Sequence, residues 1–454
     1  MPKRIFAIAM AFLGLSVGAG FASGQEMNQY FVSFGIPGIW AVVFSAIIMA
    51  LSGLAVMALG SYYQADEHTA VFDQIASPWV SRLLDVTVTL TVFCTGTVMI
   101  AGAGANLNQQ FGLPVWVGSV ILIVMVLLAG LLDVNKVSNV ISLISPLIVV
   151  VMMVASIYAI VHAQNSLTEL EPLATQIHST LPHWTIASLN YVGLCIMIAV
   201  SMSIVIGGTY LNPREAGIGG LLGGTIYGVM LLVATLALYF SVADVAHEDM
   251  PMLAIVDQIH PVFGVITALV IYGMIFNSAI GMFYALGRRV TRRRPQNFRF
   301  ALFGAVGLGF LLSFLGFRTL VGYAFPVLGY VGIILIAVLI GNYFFGRSTI
   351  VEETERRSRI RKLTRRKLHP NRVFNKADQD RLDRAVAASN VDNIELRTTV
   401  RDEILTELID DVNVDFDESD AERILAEPIT ELVSPEVKVV DPNPDESLKH
   451  PPKK

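Results

Sequence analysis

Residues Ser16-Val17-Gly18-Ala19-Gly20-Phe21-Ala22-Ser23-Gly24-Gln25-Glu26 lie midway along an apolar segment spanning about 5–32. Three glycines and two serines fall in the nine positions 16–24. Each glycine costs a helix about 1 kcal/mol relative to alanine. In lipid, a broken backbone is tolerated only where protein buries it or where it lines a wet cavity. A break here exposes the N–H groups that begin a second half-helix, which suit a substrate carboxylate. It also frees carbonyls, that of Val17 among them, which can hold a cation. The other reading is close helix packing through small residues. That reading suits Gly219, Gly220, Gly223, Gly224 and Gly228 better, because here polar Gln25 and Glu26 follow at once. The break makes Gly18, Ala19, Gly20, Phe21, Ser23, Gln25 and Glu26 candidate substrate-binding residues.

Outward from this stretch, the chain reads as an integral membrane protein. It has 454 residues, 54% apolar and 15% charged, with mean hydropathy +0.61. Soluble domains carry about 25% charge. Residues 1–346 hold 25 charged residues and residues 347–454 hold 44, so a membrane body precedes a polar tail. An α-helix crosses the hydrocarbon core with about 20 apolar residues. Ten runs qualify, at 5–32, 37–60, 81–107, 112–132, 138–162, 186–210, 216–242, 260–286, 300–316 and 319–345. Such lengths exclude a porin-like barrel, whose strands run about ten residues. Residues 1–22 imitate a secretory signal, but the apolar run continues into a polytopic protein and reads as the first span.

Lys and Arg in short loops set orientation. With the N-terminus in the cytoplasm, Lys3, Arg4, Arg82, Lys136, Arg214, Arg288, Arg289, Arg292, Arg293, Arg294 and Arg299 face inward, and only Arg318 faces outward. Loops 163–185 and 243–259 contain no Lys or Arg. Ten spans return the tail to the cytoplasm, so the expected location is the plasma membrane with both termini inside.

Gly18-Ala19-Gly20-Phe21 resembles the first-helix break of the amino acid–polyamine–organocation superfamily. The longer string Val17 to Glu26 is similar to the YkvI-type membrane proteins, and Asn212-Pro213-Arg214 resembles the superfamily's loop between its sixth and seventh helices. The resemblance covers residues 1–346. It implies the leucine-transporter fold: an all-α body of ten transmembrane helices in two inverted five-helix repeats, about 1–163 and 184–346. It also implies a site between helices 1, 3, 6 and 8. The sixth helix of that fold is broken as well. Here its middle reads Ile198-Ala-Val-Ser-Met-Ser203, with glycines only at Gly207 and Gly208, so the signal for a break is faint; Ser201 and Ser203 can satisfy an unwound backbone and join the candidate substrate-binding residues. In sodium-coupled members, residues spaced like Met274, Asn277 and Ser278 supply half of a sodium site, facing carbonyls such as that of Val17. Proton coupling through Glu26 is the rival.

Glu26 is the only acid before Asp66. A carboxylate at membrane depth marks function, either for a substrate ammonium or for a proton; near the interface it would merely be solvated. Thr87, Thr91 and Thr95 share one helix face and read as packing or backbone hydrogen-bonding groups. Asp85 reads as a cap at a helix start. Cys94 and Cys195 are too few and isolated for a disulfide framework and read as packing residues. The loop His247 to Asp257 reads equally as a short helix acting as an outer lid or as a plain surface loop. No nucleophile triad, metal-spaced cluster, P-loop or nucleic-acid signature appears, so neither an enzyme nor an ATP-driven pump is expected.

Residues 347–372 form a basic juxtamembrane segment with ten Lys or Arg and three acids. Anionic lipid headgroups near 356–367 are its expected partner. Residues 373–454 are an acidic tail, expected to be mostly disordered, with Pro435 to Lys454 the clearest case. Apolar positions within 377–412 leave room for one or two short helices that dock a cytosolic partner. The expected function is secondary transport of an amino acid or related small organic solute, coupled to Na⁺ or H⁺. A scaffold or sensor acting through the tail, and a carrier of a lipid-linked molecule, are the alternatives.

Overall fold

The computed structural model describes residues 2–131, 144–409, 414 and 416–426. Lys136, the junction between the fourth and fifth expected spans, and the segment Pro435 to Lys454 lie outside the described residues. No strand occurs among the described residues.

The first span is three short helices, α1 (Pro2–Ser16), α2 (Ala19–Ser23) and α3 (Gln25–Tyr30). Then come α4 (Ile36–Tyr63), α5 (His68–Ile75), α6 (Pro78–Phe111), α7 (Val115–Leu131) and α8 (Ile144–Val161). A short α9 (Leu167–Ala174) leads to α10 (Trp184–Gly208) and α11 (Pro213–Phe240). After it come α12 (Pro251–Ile259), α13 (Pro261–Val290), α14 (Phe298–Ser313) and α15 (Phe317–Phe345). Among the described residues, α4, α6, α10, α11, α13 and α15 are long and apolar enough to cross a membrane, and α7 and α8 are shorter apolar helices.

Local chemistry explains several boundaries. The Asn212 side chain accepts from the amides of Arg214 (3.1 Å) and Glu215 (3.4 Å), so the Asn-Pro-Arg piece is the N-cap of α11. Such a cap contributes about 1 kcal/mol. The glycine row on α11 is a packing surface: a Cβ on Gly220 would strike the Gly53 carbonyl of α4, and one on Gly223 the Ala9 carbonyl of α1. Pro326 inside α15 has no N–H for the Gly322 carbonyl four residues back. That freed carbonyl accepts from Gln29 Nε2 (3.0 Å) and Thr180 Oγ1 (2.7 Å), tying α3 to α15.

The described part of the tail is largely helical, the short helices expected within 377–412 included. Residues Arg347–Leu368 (α16), Lys376–Ala387 (α17), Asn393–Ile409 (α18) and Glu418–Ala426 (α19) are helical. Ile360, Leu382, Val386, Leu396, Val400 and Ile404 form a second apolar core, joined by Leu211 of the α10–α11 turn. These few apolar positions suffice because they share faces and a membrane-body residue completes their core. The basic segment is also partly turned inward. Arg357 is buried, and Arg356 and Arg366 pair with Glu353 and Asp378.

Candidate functional site

The first span breaks where the glycines are. The last residue bonded into α1 is Val17, whose amide donates to Leu13 O (2.9 Å). Gly18 is extended (φ −104°, ψ −179°) and α2 restarts at Ala19. The closing carbonyls of α1 and the opening amides of α2 therefore lack intrahelical partners. A second interruption sits at Gly24, whose φ of +80° is left-handed. Glycine is needed there twice over, because a side chain would also meet Met252 of α12. The Ser23 hydroxyl stitches this turn, donating to Gly20 O (2.8 Å) and accepting from the Gln25 amide (3.2 Å).

A cavity of about 1040 Å³ opens beside the first break. Four spans supply most of its lining: residues 14–21 of the first span, the 88–99 face of α6, the 194–205 face of α10 and the 274–286 face of α13. They are the four spans that the resemblance names. Of the residues singled out in sequence, Val17, Gly18, Ala19, Gly20, Phe21, Glu26, Ser201, Met274, Asn277 and Ser278 line this one space. Ser23, Gln25 and Ser203 do not. Ser203 is buried with an unpartnered hydroxyl, and Gln25 keeps a buried unpartnered Oε1.

Glu26 reaches back from the first turn of α3 to the break. Its carboxylate lies where a Cβ on Gly20 would be. It is 8% exposed and has no hydrogen bond or ion pair among the described residues. Aromatic and sulfur groups surround the same end of the cavity. Phe21 packs on Tyr227 at 5.7 Å, the hydroxyls of Tyr227 and Tyr191 share a hydrogen bond (2.7 Å), and Cys195 lies 3.7 Å from Tyr227. Asn277 and Ser278 also lack hydrogen bonds among the described residues, so their oxygens are free toward the cavity.

The opposite end of the cavity is polar, and no residue of 163–185 or 243–260 lines it. It opens on the face that carries the N-terminus, between the α4–α5 turn and the end of α13. There Arg289 pairs with Asp85, and its guanidinium also donates to His68 Nε2 (3.1 Å). That geometry leaves the proton on Nδ1, which donates to Ser201 Oγ (2.9 Å). Burial, then the Arg289 charge, holds the His68 imidazole below its ordinary value.

This network corrects two expectations. Asp85 is not a cap, because α6 begins seven residues earlier, at Pro78. Ser201 does not serve an unwound backbone, because α10 runs unbroken from Trp184 to Gly208. Thr95 and Cys195, read as packing residues, line the cavity, whereas Thr87 and Thr91 bond the carbonyls four residues back. His68 gave no signal in sequence, because its partners lie 17, 133 and 221 residues away. The outer loop does form a short helix, α12, against Gly24.

No family model matches the chain. The membrane protein YkvI of Bacillus subtilis (strain 168) is 24% identical over 336 residues, 73% of this chain and 94% of the relative. YyaD of the same organism is 25% identical over 341 residues, with the same coverage. The relatives thus agree with the resemblance read from Val17 to Glu26. Among solved structures, MhsT in complex with L-phenylalanine superimposes with a TM-score of 0.52 at 15% identity, covering 74% of this chain and 88% of MhsT. Inward-facing Mhp1 gives 0.51 at 14% identity, covering 76% and 77%. The chain has the leucine-transporter fold. Its neighbours in that fold are transporters and not enzymes. Within the fold, the broken first span is present and the break of the sixth helix is absent.

Proposed function

We propose that the chain is a secondary active transporter of a small amine-bearing solute, an amino acid or a related organic cation or zwitterion. One observation carries this reading: a carboxylate without a counter-charge, Glu26, stands against a helix break inside a membrane-embedded cavity. A carboxylate at such depth needs a partner, and the solute ammonium supplies it. The unbonded amides that open α2 take the solute carboxylate. Phe21, Leu194, Ile198 and Met202 offer the solute side chain an apolar wall. The bound L-phenylalanine of MhsT supports an amino acid as cargo.

Sodium is the coupling ion in this proposal. The Val17 carbonyl on the first span, and the Met274 carbonyl with the Asn277 and Ser278 side chains on α13, offer hard oxygen donors to the same cavity. Proton carriage by Glu26 is the rival, because the same carboxylate can hold a proton instead of an ammonium. The ten spans form two inverted repeats, and one bundle rocks against the other around the break. The cavity face is the cytoplasmic one, in the plasma membrane, as the basic loops require.

The test is reconstitution in liposomes with a panel of labelled amino acids under imposed Na⁺ or H⁺ gradients. A Gly20→Leu variant is the control, since its side chain would occupy the space of the Glu26 carboxylate. Uptake driven by a Na⁺ gradient and lost in this variant is expected. Equal uptake by parent and variant would show that the site lies elsewhere.

A further inference from the structure

Besides Ile350, which is buried in the core of the membrane body, the tail grips the body at three places on the face where the cavity opens. The first grip is Arg357, buried together with Glu353. Its guanidinium donates to the carbonyls of Ser61 (2.8 Å), Tyr62 (2.7 Å) and Leu211 (3.2 Å). Ser61 and Tyr62 end α4, and such terminal carbonyls have no donor within their own helix. Gln64 already donates to the Ser61 carbonyl, and Arg357, with Asn390 on the Tyr62 carbonyl, completes the cap of α4 from the tail. The second grip is Leu211 itself, which completes the tail's apolar core from the α10–α11 turn. The third is on α1. Glu403 and Glu407 of α18 pair with Arg4, the latter at 2.9 Å, and Arg361 of α16 pairs with the same two carboxylates.

These grips differ in firmness. The Arg357 and Glu353 side chains are 2% exposed, whereas Arg4 is 35% exposed and its two acids 20% and 25%. Buried, fully hydrogen-bonded charge is costly to separate, while part-exposed pairs are weak and screened by salt. The body thus has one permanent anchor for the tail and one releasable contact. The releasable contact sits on α1, which is joined to the rest of the first span only through Val17 and extended Gly18.

We propose that residues 347–409 are a clasp that restrains α1 from swinging about Val17–Gly18. Anchored at Arg357, the tail holds Arg4 and keeps the cavity in the open form seen here. Taken with the transporter reading above, on which this consequence rests, the clasp slows turnover until it is released.

The test uses the full chain and its Glu403→Gln/Glu407→Gln variant, which changes only part-exposed groups. Amide hydrogen exchange over residues 2–16 is read in parallel with flux of labelled amino acids into liposomes. The variant loses four part-exposed pairs, and losing the two that hold Arg4 should speed exchange of α1 about fivefold, with faster flux. The charge swap Arg4→Glu/Arg361→Glu with Glu403→Lys/Glu407→Lys, which inverts every partner of the two carboxylates, should restore both. Unchanged exchange over 2–16 would overturn the clasp, and so would faster exchange that the swap fails to reverse. Faster, reversible exchange with no flux in parent or variant would uphold the clasp and sink the transporter reading, so the two failures are distinct.

Discussion

The first span and α10 flank the same cavity, and the fold that the chain adopts breaks both. Here only the first is broken. The difference is one of local sequence. Residues 16–24 place glycine at every second or fourth position, so α-helix gains little over the extended form at Gly18. Residues 198–203 carry no glycine, and Gly207 and Gly208 at the end of α10 serve close contact with the carbonyls of Met57 and Ala65. The half of the site built by the first span offers backbone polar groups, and the half built by α10 offers only side chains.

The largest effect should come from closing the broken half. Gly20→Leu forces a branched side chain into the Glu26 carboxylate, and overpacking of this kind typically costs 1–3 kcal/mol. Transport at limiting solute should fall about 100-fold, with thermal unfolding still cooperative. Retained transport would show that the two spans are alike in function despite their difference in shape.

Glu26→Gln keeps the shape and removes the charge. A hydrogen bond to a charged group is worth about 1.5–3 kcal/mol, so solute affinity should weaken about 10- to 100-fold. Binding calorimetry separates the solute and proton roles. If Glu26 holds the ammonium, the variant binds weakly at every pH. If it only carries a proton, the variant binds as well as the parent and loses coupling to the H⁺ gradient.

How much of this was legible in the sequence depends on the range of each contact. The break between Gly18 and Gly24 is local, so composition revealed it. The residues at 274, 277 and 278 were singled out by the resemblance together with helical spacing, and all three line the cavity. The unbroken α10 ran against the resemblance and agreed with its own residues, which had shown only a faint signal. His68, Arg289 and Ser201 meet across three elements, and nothing local marks any of them. The tail's fold was half legible: apolar positions within 377–412 implied helices, but their core needs Leu211 from the membrane body. Asp85 was misread because its helix begins earlier than the apolar run suggested.

The polar end of the cavity makes a smaller, pH-dependent prediction. Burial and Arg289 lower the His68 value in the folded state, with Asp85 and Glu67 opposing. The contacts of His68 with Arg289 and Ser201 latch α5 to α13 and α10; above the unperturbed imidazole value of about 6.5, both the latched and the unlatched forms are neutral and the latch has its full strength. As pH falls below that value, the unlatched form takes up a proton that the latched form does not, so the latch weakens. Hydrogen exchange over residues 68–75, corrected for intrinsic rates, should speed several-fold from about pH 7.5 to about 5.5. His68→Gln should remove this dependence. Exchange that slows on acidification would show that Asp85 outweighs Arg289 at this site.

Ala199→Gly asks the smallest question and bears most directly on α10. Ala199 is buried in the unbroken helix and lines the cavity opposite the break. Glycine there costs the helix about 1 kcal/mol and so lowers the unfolding temperature by a few degrees. If α10 works as a rod, with its role confined to side chains such as Ser201, transport should stay within about twofold of the parent. If instead α10 opens at its middle during the cycle, the same glycine lowers the cost of that opening, and turnover should rise as stability falls. Flux and melting measured on one preparation therefore decide whether the straight helix is a property of the chain throughout its cycle or of one state in it.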